Sequence, residues 1–231
     1  MPLRRTLALT ALAACVWGMA APNSARADDE PFAGSYVSIG GGVDEVTDRV
    51  GRFLESETNE GGSVGADARF NLLDGLILDL DYGRDESSLN DLTLTRQQGD
   101  VGLGYLGPIG RYSNWYVEAV YAHLQFHTSG QSVCGGDCLT ETHDGVGVKG
   151  GFIFPIGSQW YSTISAGYIS MAAHNGFDGL GESLVNASIG YRINSSLSIG
   201  VRAEFMAYVD RGDAGLEEDF ASWRAFVSYH F

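Results

Sequence analysis

Long hydrophobic runs are missing from this 231-residue chain once its first 27 residues are set aside. No later segment approaches the roughly 18 consecutive apolar residues that a membrane helix requires, and the mean hydropathy is -0.05. A bundle of membrane helices is excluded. Basic residues are scarce, 14 against 29 acidic ones; so acidic a chain repels a phosphate backbone, which excludes nucleic-acid partners. Cysteine is sparse as well, with Cys15, Cys134 and Cys138 the whole complement. No segment shows the spaced ligand pattern of a calcium loop, and no cofactor is expected.

The amino-terminus reads as a secretory leader. Arg4 and Arg5 form a charged start, Thr6 to Ala21 an apolar run, and Ala25-Arg26-Ala27 a small-residue cleavage site before Asp28. An alternative is a lipoprotein box, Leu12-Ala13-Ala14-Cys15, which would leave a lipidated Cys15; the apolar Val16, Trp17 and Met19 beyond it weigh against that processing. Cleavage after Ala27 removes Arg4, Arg5 and Arg26, leaving eleven basic against 29 acidic residues, a formal charge of -18. The domain to be folded is 28–231.

What the chain does have is alternation. From Ala221 to Phe231, Ala221, Trp223, Ala225, Val227, Tyr229 and Phe231 alternate with Ser222, Arg224, Phe226, Ser228 and His230, the period-2 signature of a strand. The pattern recurs in Ser35–Val43, Ser63–Leu72, Leu76–Gly83, about Thr93–Leu106, Trp115–Gln125, Gly145–Phe154, Trp160–Ser170, Leu184–Ile193 and Leu197–Val209. Ten strands, or eight if the weakly alternating first and seventh are misread, with one apolar and one polar face each, predict an all-β, up-and-down antiparallel transmembrane barrel. Glycine, 32 residues and about twice the usual share, falls repeatedly on the polar faces.

Connections alternate too. Those after strands two, four, six and eight are short, Leu73-Asp74-Gly75 being a tight turn, and those after the odd-numbered strands are longer and polar. Trp115, Trp160, Phe70, Tyr105, Phe154, Tyr191 and Phe231 then fall at one rim as an aromatic girdle. A soluble sandwich or lipocalin-like barrel would bury the same apolar faces and leaves that girdle without a role.

The inward faces carry Arg69, Arg96, Lys149, Arg192, Arg202 and Arg224 against Asp67, Asp79, Asp81, Asp100, Glu118 and Glu204. Six balance six, which predicts an interior salt-bridge network filling a narrow lumen; the alternative is a charged constriction in a small pore. The acidic excess is then expected in loops, with Asp44, Glu45, Asp48, Glu55, Glu57 and Glu60 in the first and Asp210, Asp213, Glu217, Glu218 and Asp219 in the last. Such a rim meets lipopolysaccharide phosphates only where divalent cations bridge them. Cys134 and Cys138, in Cys134-Gly135-Gly136-Asp137-Cys138, predict a disulfide at the tip of the fifth-to-sixth connection; zinc would need more ligands than the nearby His127 and His143 supply.

The alternating strands, Trp115 and Trp160 after turns, and the terminal Tyr229-His230-Phe231 together resemble the small outer-membrane β-barrel group, the porin-like or outer-membrane-protein-A-like barrels. That resemblance spans 28–231 and implies a Gram-negative outer membrane, contact with its lipid and lipopolysaccharide, and assembly by the barrel-assembly machinery through the signal at Tyr229 and Phe231. It implies no single function. His127-Thr128-Ser129 with Glu141 is similar to the His, Ser and Glu of outer-membrane lipid A deacylases, though Gly130 stands where that family has Asn. No paired Asp and Asp-His arrangement like that of the omptin proteases is found. The expectation is therefore a monomeric, non-enzymatic surface or structural barrel whose loops meet an extracellular partner. The alternatives are a narrow channel for small solutes and a lipid-modifying enzyme.

Overall fold

The computed structural model describes residues 34–50, 57–89, 92–109, 112–130, 139–174, 179–210 and 216–231. The leader, with Cys15 and Ala27, and the pair Cys134 and Cys138 lie outside the described residues.

Ten strands follow one another: β1 (Tyr36–Val50), β2 (Glu57–Leu73), β3 (Leu76–Leu89), β4 (Leu92–Ile109), β5 (Ser113–Gly130), β6 (Leu139–Pro155), β7 (Trp160–Ala173), β8 (Leu180–Arg192), β9 (Leu197–Asp210) and β10 (Leu216–His230). Each pairs antiparallel with its neighbour in sequence, and β1 pairs with β10 along its full length, from Tyr36 opposite His230 to Val50 opposite Leu216. The barrel is closed, so no strand edge is left for a hydrocarbon phase that could not satisfy it.

Alternation sets the two faces. On β5, Trp115, Val117, Ala119 and Tyr121 are exposed on the outside, while Tyr116, Glu118, Val120 and Ala122 are buried inside. One rim carries ring pairs: Tyr105 with Trp115 and Trp160 with Tyr191 between neighbouring strands, and Phe70 with Phe231 across β1. A second belt that sequence reading did not single out, Tyr82, Tyr121, Tyr168, Phe205 and Trp223, rings the opposite edge of the apolar band, all five outward and exposed. Two aromatic belts bounding an apolar band are what a bilayer selects.

At the Trp115 rim the chain turns tightly. Asp74 (φ 44°) and Gly75 (φ 89°) both lie in the left-handed region, the backbone of a type I′ hairpin, where Gly is favoured. At the other rim the strands run further than alternation suggested. β1 extends to Val50 rather than Val43, β3 to Leu89 rather than Gly83, and β5 to Gly130 rather than Gln125; β2 starts at Glu57, β6 at Leu139, β8 at Leu180 and β10 at Leu216. Above the apolar band both faces meet water, so the side-chain period vanishes, but the backbone ladder continues because N–H and C=O groups pair whatever the side chains are. Asp44, Glu45, Asp48, Glu57, Glu60, Glu217, Glu218 and Asp219, expected in loops, therefore belong to strands that project beyond the band. The expected long third connection is only the two residues between Leu89 and Leu92.

Candidate functional site in the barrel interior

All twelve charged residues expected in the lumen lie at inward positions of their strands. Arg69 of β2 grips Asp79 of β3 with two bonds, Nε to Oδ1 at 2.8 Å and Nη2 to Oδ2 at 2.5 Å, and its guanidinium stacks 4.2 Å from the centre of the Tyr116 ring. Arg202 of β9 reaches across to Asp67 of β2 at 2.9 Å. Arg224 of β10 meets Glu204 at 3.1 Å and donates through Nε to Ser63 Oγ at 2.5 Å. Lys149, the chain's only lysine, faces Glu118 at 3.6 Å. Gly65 makes room for this layer, since a Cβ there would come within 2.7 Å of the Arg224 guanidinium. Arg192 is inward at the short-turn end of β8, opposite Ser198.

The partner of Arg96 was not foreseen. It is Asp85, which also accepts from Arg224 Nη2 at 3.2 Å and from Ser63 at 2.6 Å. Asp85 sits on the extension of β3, two residues beyond Gly83, and continues the inward series Ile77, Asp79, Asp81, Gly83. Asp44 on β1 and Glu182 on β8 are likewise buried inward acids, each just past the expected strand end. Gln98 ties Glu182 in, its Nε2 lying 3.0 Å from Glu182 Oε2 and 3.1 Å from Asp100 Oδ1. The balance of six against six is thus corrected: Asp44, Asp85 and Glu182 join the six acids expected in the interior, against the same five arginines and one lysine. The phase of the strands carried that signal, because all three acids keep the parity of the inward residues beside them.

Above the ionic layer the lumen is apolar, which sequence reading also missed. Val46, Leu124, Phe126, Ile169, Met171 and Phe220 are inward and buried, and they pack with Val120, Leu184, Met206 and Tyr208 into one core. Phe126, Tyr208 and Phe220 stand within 5.4–6.0 Å of one another, centre to centre. Arg96 joins the two zones: its Nε donates to Tyr208 Oη at 2.8 Å and its guanidinium lies 5.6 Å from the Phe220 ring. At the Trp115 rim, His230 Nε2 is 2.8 Å from Ser198 Oγ, itself 3.0 Å from Tyr161 Oη. Between this floor and the ionic layer lies a polar cavity of about 80 Å³, bordered by Tyr36, Asp81, Lys149 and Arg202. A second space of about 10 Å³ lies between Gln98, Asp100, Glu182 and Glu204, about the volume one water requires.

The three residues of the deacylase-like trio do not share one face of the wall. His127 and Ser129 share the outward parity of Trp115 and Tyr121, and His127 Nδ1 meets Thr140 Oγ1 at 3.0 Å. Glu141 lies inward opposite Phe126 and engages the fully buried His143 at 2.5 Å. Among the described residues no group of three or more His, Cys, Asp or Glu is placed to hold a metal ion. At the chain end, Tyr229 and Phe231 stack on the outer face at 6.2 Å, and the Phe231 N–H donates to the Ser35 carbonyl at 3.1 Å.

The outer membrane protein beta-barrel domain model matches residues 11–192, more than three quarters of the chain. The chain belongs to this outer-membrane barrel family. Membership places it in the outer membrane of a Gram-negative envelope. Among solved structures, the outer membrane protease OmpT from Escherichia coli is similar at 9% identity and a TM-score of 0.58, covering 86% of this chain and 97% of that one. The translocator domain of the autotransporter NalP from Neisseria meningitidis is similar at 12% identity and a TM-score of 0.47, covering 99% and 96%. OprG from Pseudomonas aeruginosa is similar at 12% identity and a TM-score of 0.40, covering 88% and 98%. At such identities the likeness concerns the fold alone. No curated protein matches the chain.

Proposed function

We propose that this outer-membrane barrel is a sealed surface protein that acts through its projecting rim and wall rather than by conducting solutes or by catalysis. The observation that carries the reading is the double closure of the lumen. A layer of paired charges spans it, and the aromatic and aliphatic core around Phe126, Tyr208 and Phe220 lies above that layer. Ten strands enclose little more space than side chains of this size fill. The rim carries Glu45 of β1 and Glu60 of β2, both exposed on the outer face. Such a surface suits a cationic extracellular partner and meets lipopolysaccharide phosphates through bridging divalent cations. Export by the leader, assembly through Tyr229 and Phe231, and a monomeric state complete the proposal.

Liposome swelling tests it. Vesicles carrying the refolded protein should stay osmotically tight to small sugars and amino acids, at the rate of empty vesicles. Swelling that scales with the amount of protein would favour the narrow channel, and loss of a lipid A modification on His127→Ala would favour the enzyme.

A further inference from the structure

At the short-turn end the outer wall stays apolar past its aromatic girdle. Ile193 follows Tyr191 by two residues and donates its N–H to the Leu197 carbonyl at 2.9 Å; Ile156 follows Phe154 by two and donates to that of Trp160 at 2.9 Å. Ile109, four residues past Tyr105, stands opposite Ser113, and Leu73, three past Phe70, stands opposite the outward Leu76. The register keeps all four on the outer face. Leu73, Ile109, Ile156 and Ile193 are 75%, 45%, 58% and 47% exposed, so each of the four short turns carries a bare aliphatic side chain beyond the girdle.

The opposite end differs. Two residues past Tyr82 on β3 stands Arg84, paired with Glu86 at 2.8 Å. Past Tyr121 and Val146, which face each other across β5 and β6, come His123 and Asp144, with His123 Nδ1 2.7 Å from Asp144 Oδ1. On these strands the apolar band ends at its belt, although β9 carries the exposed Val209 above it. The short turns offer few charges to end it: segments 73–75, 107–114, 155–159 and 193–196 contain Asp74 and Arg111 alone, Arg111 lying outside the described residues.

We infer that the short turns form a collar seated in the periplasmic leaflet, where Leu73, Ile109, Ile156 and Ile193 rest against phospholipid acyl chains and the barrel mouth lies at headgroup depth. Short turns mark the periplasmic end of such barrels. Two residues of strand add about 7 Å along the chain, or about 5 Å of depth at a strand tilt of about 40°. The girdle sits deeper by that distance than a rim that turned polar directly after its rings.

Lipid is the occupant for two reasons. The collar continues the surface that already faces the bilayer: Trp160 is bonded through its carbonyl to Ile156 and stacks 5.0 Å from Tyr191, two residues before Ile193. The turns also join β2 to β3, β4 to β5, β6 to β7 and β8 to β9, and so are spread around the closed wall. A globular partner covers one sector, whereas a leaflet meets the whole circumference and removes every exposed aliphatic group from water.

Spin labelling of the exported protein, purified and reconstituted in phosphatidylethanolamine and phosphatidylglycerol vesicles at high lipid excess, tests this. Ile109→Cys, Ile156→Cys and Ile193→Cys are made singly in a background of Cys134→Ser with Cys138→Ser, beside Val117→Cys within the band and His123→Cys beyond the opposite belt. Each is used once it shows heat-modifiable migration on gels, and three turn sites keep the test open should one fail to fold. With oxygen and a nickel chelate on both sides of the bilayer, the turn labels should be relaxed more by oxygen, as at Val117, and the label at His123 more by the chelate. These vesicles hold no other protein, so such protection comes from lipid. Chelate access at the turns equal to that at His123 would overturn the inference. Protection confined to one turn would overturn it too, as would protection lost on diluting the protein in lipid, which would assign the surface to a second copy of the chain.

Discussion

Phe126 of β5 and Tyr208 of β9, on strands four places apart around the wall, meet edge to face with ring centres 5.4 Å apart. Two inward rings can touch in this way only if nothing passes between them. Tyr208 also accepts from Arg96 and donates to Gln98 Oε1 at 2.9 Å, so the apolar closure rests on the ionic layer and each zone fixes the other's rotamers.

Truncating that contact should be costly. Phe126→Ala leaves a cavity among Tyr208, Phe220 and Leu124 and should destabilise the barrel by about 3–5 kcal/mol, read as an earlier transition in reversible urea unfolding in lipid vesicles. A loss below about 1 kcal/mol would mean that the core is loosely packed.

Asp85 receives two guanidinium groups, from Arg96 and Arg224, with its side chain almost wholly buried. Removing its charge strands both. Asp85→Asn should cost about 3–5 kcal/mol. Arg96→Met added to it should fall short of additivity by at least about 1 kcal/mol. A double-mutant cycle in the same unfolding assay measures this, and strict additivity would show that the pair is not coupled.

Those two results would bear on how far the interior was readable beforehand. Within the apolar band, hydrocarbon outside and polar groups inside impose a period of two, and Arg69, Asp79, Lys149, Arg202 and Arg224 could be placed from it. Past Val43 on β1, past Gly83 on β3 and before Leu184 on β8, water lies outside as well. The contrast between faces disappears there, so Asp44, Asp85 and Glu182 passed for loop acids. The apolar upper core was hidden differently: Leu124 and Phe126 are apolar residues facing inward, whereas a lumen was expected to be polar. Partners across the barrel, such as Arg202 with Asp67, depend on strand closure and tilt, which no local spacing encodes.

The Asp144 carboxyl should titrate near 2, held down by His123 and Tyr121. The sign follows from linkage: a carboxyl depressed in the folded state adds stability above its unfolded value, about 3.9, and that stability is lost as pH falls through the folded value. Carboxyl-carbon NMR of Asp144 should show a midpoint near 2 in the native protein and a higher one in His123→Gln with Tyr121→Phe. An unchanged midpoint would mean those hydrogen bonds are not formed.

Cys134 and Cys138 should be joined in the exported protein. Non-reducing peptide mapping should recover Cys134 and Cys138 in one peptide with residues 134–138 closed, two hydrogens lighter than its reduced form. Cys134→Ser with Cys138→Ser should leave barrel stability within about 0.5 kcal/mol, because a loop this short removes little chain entropy. Two free thiols in protein isolated from an oxidising compartment would contradict the pairing.

Single-channel recording in planar bilayers tests the sealed lumen most directly, at neutral and at acidic pH. Protein that migrates on gels as a heat-modifiable barrel should give no stable conductance steps at either pH, because the Phe126, Tyr208 and Phe220 core carries no group that titrates over that range. Reproducible steps of uniform size at neutral pH would contradict the closure and make the paired charges beneath it the lining of a pore.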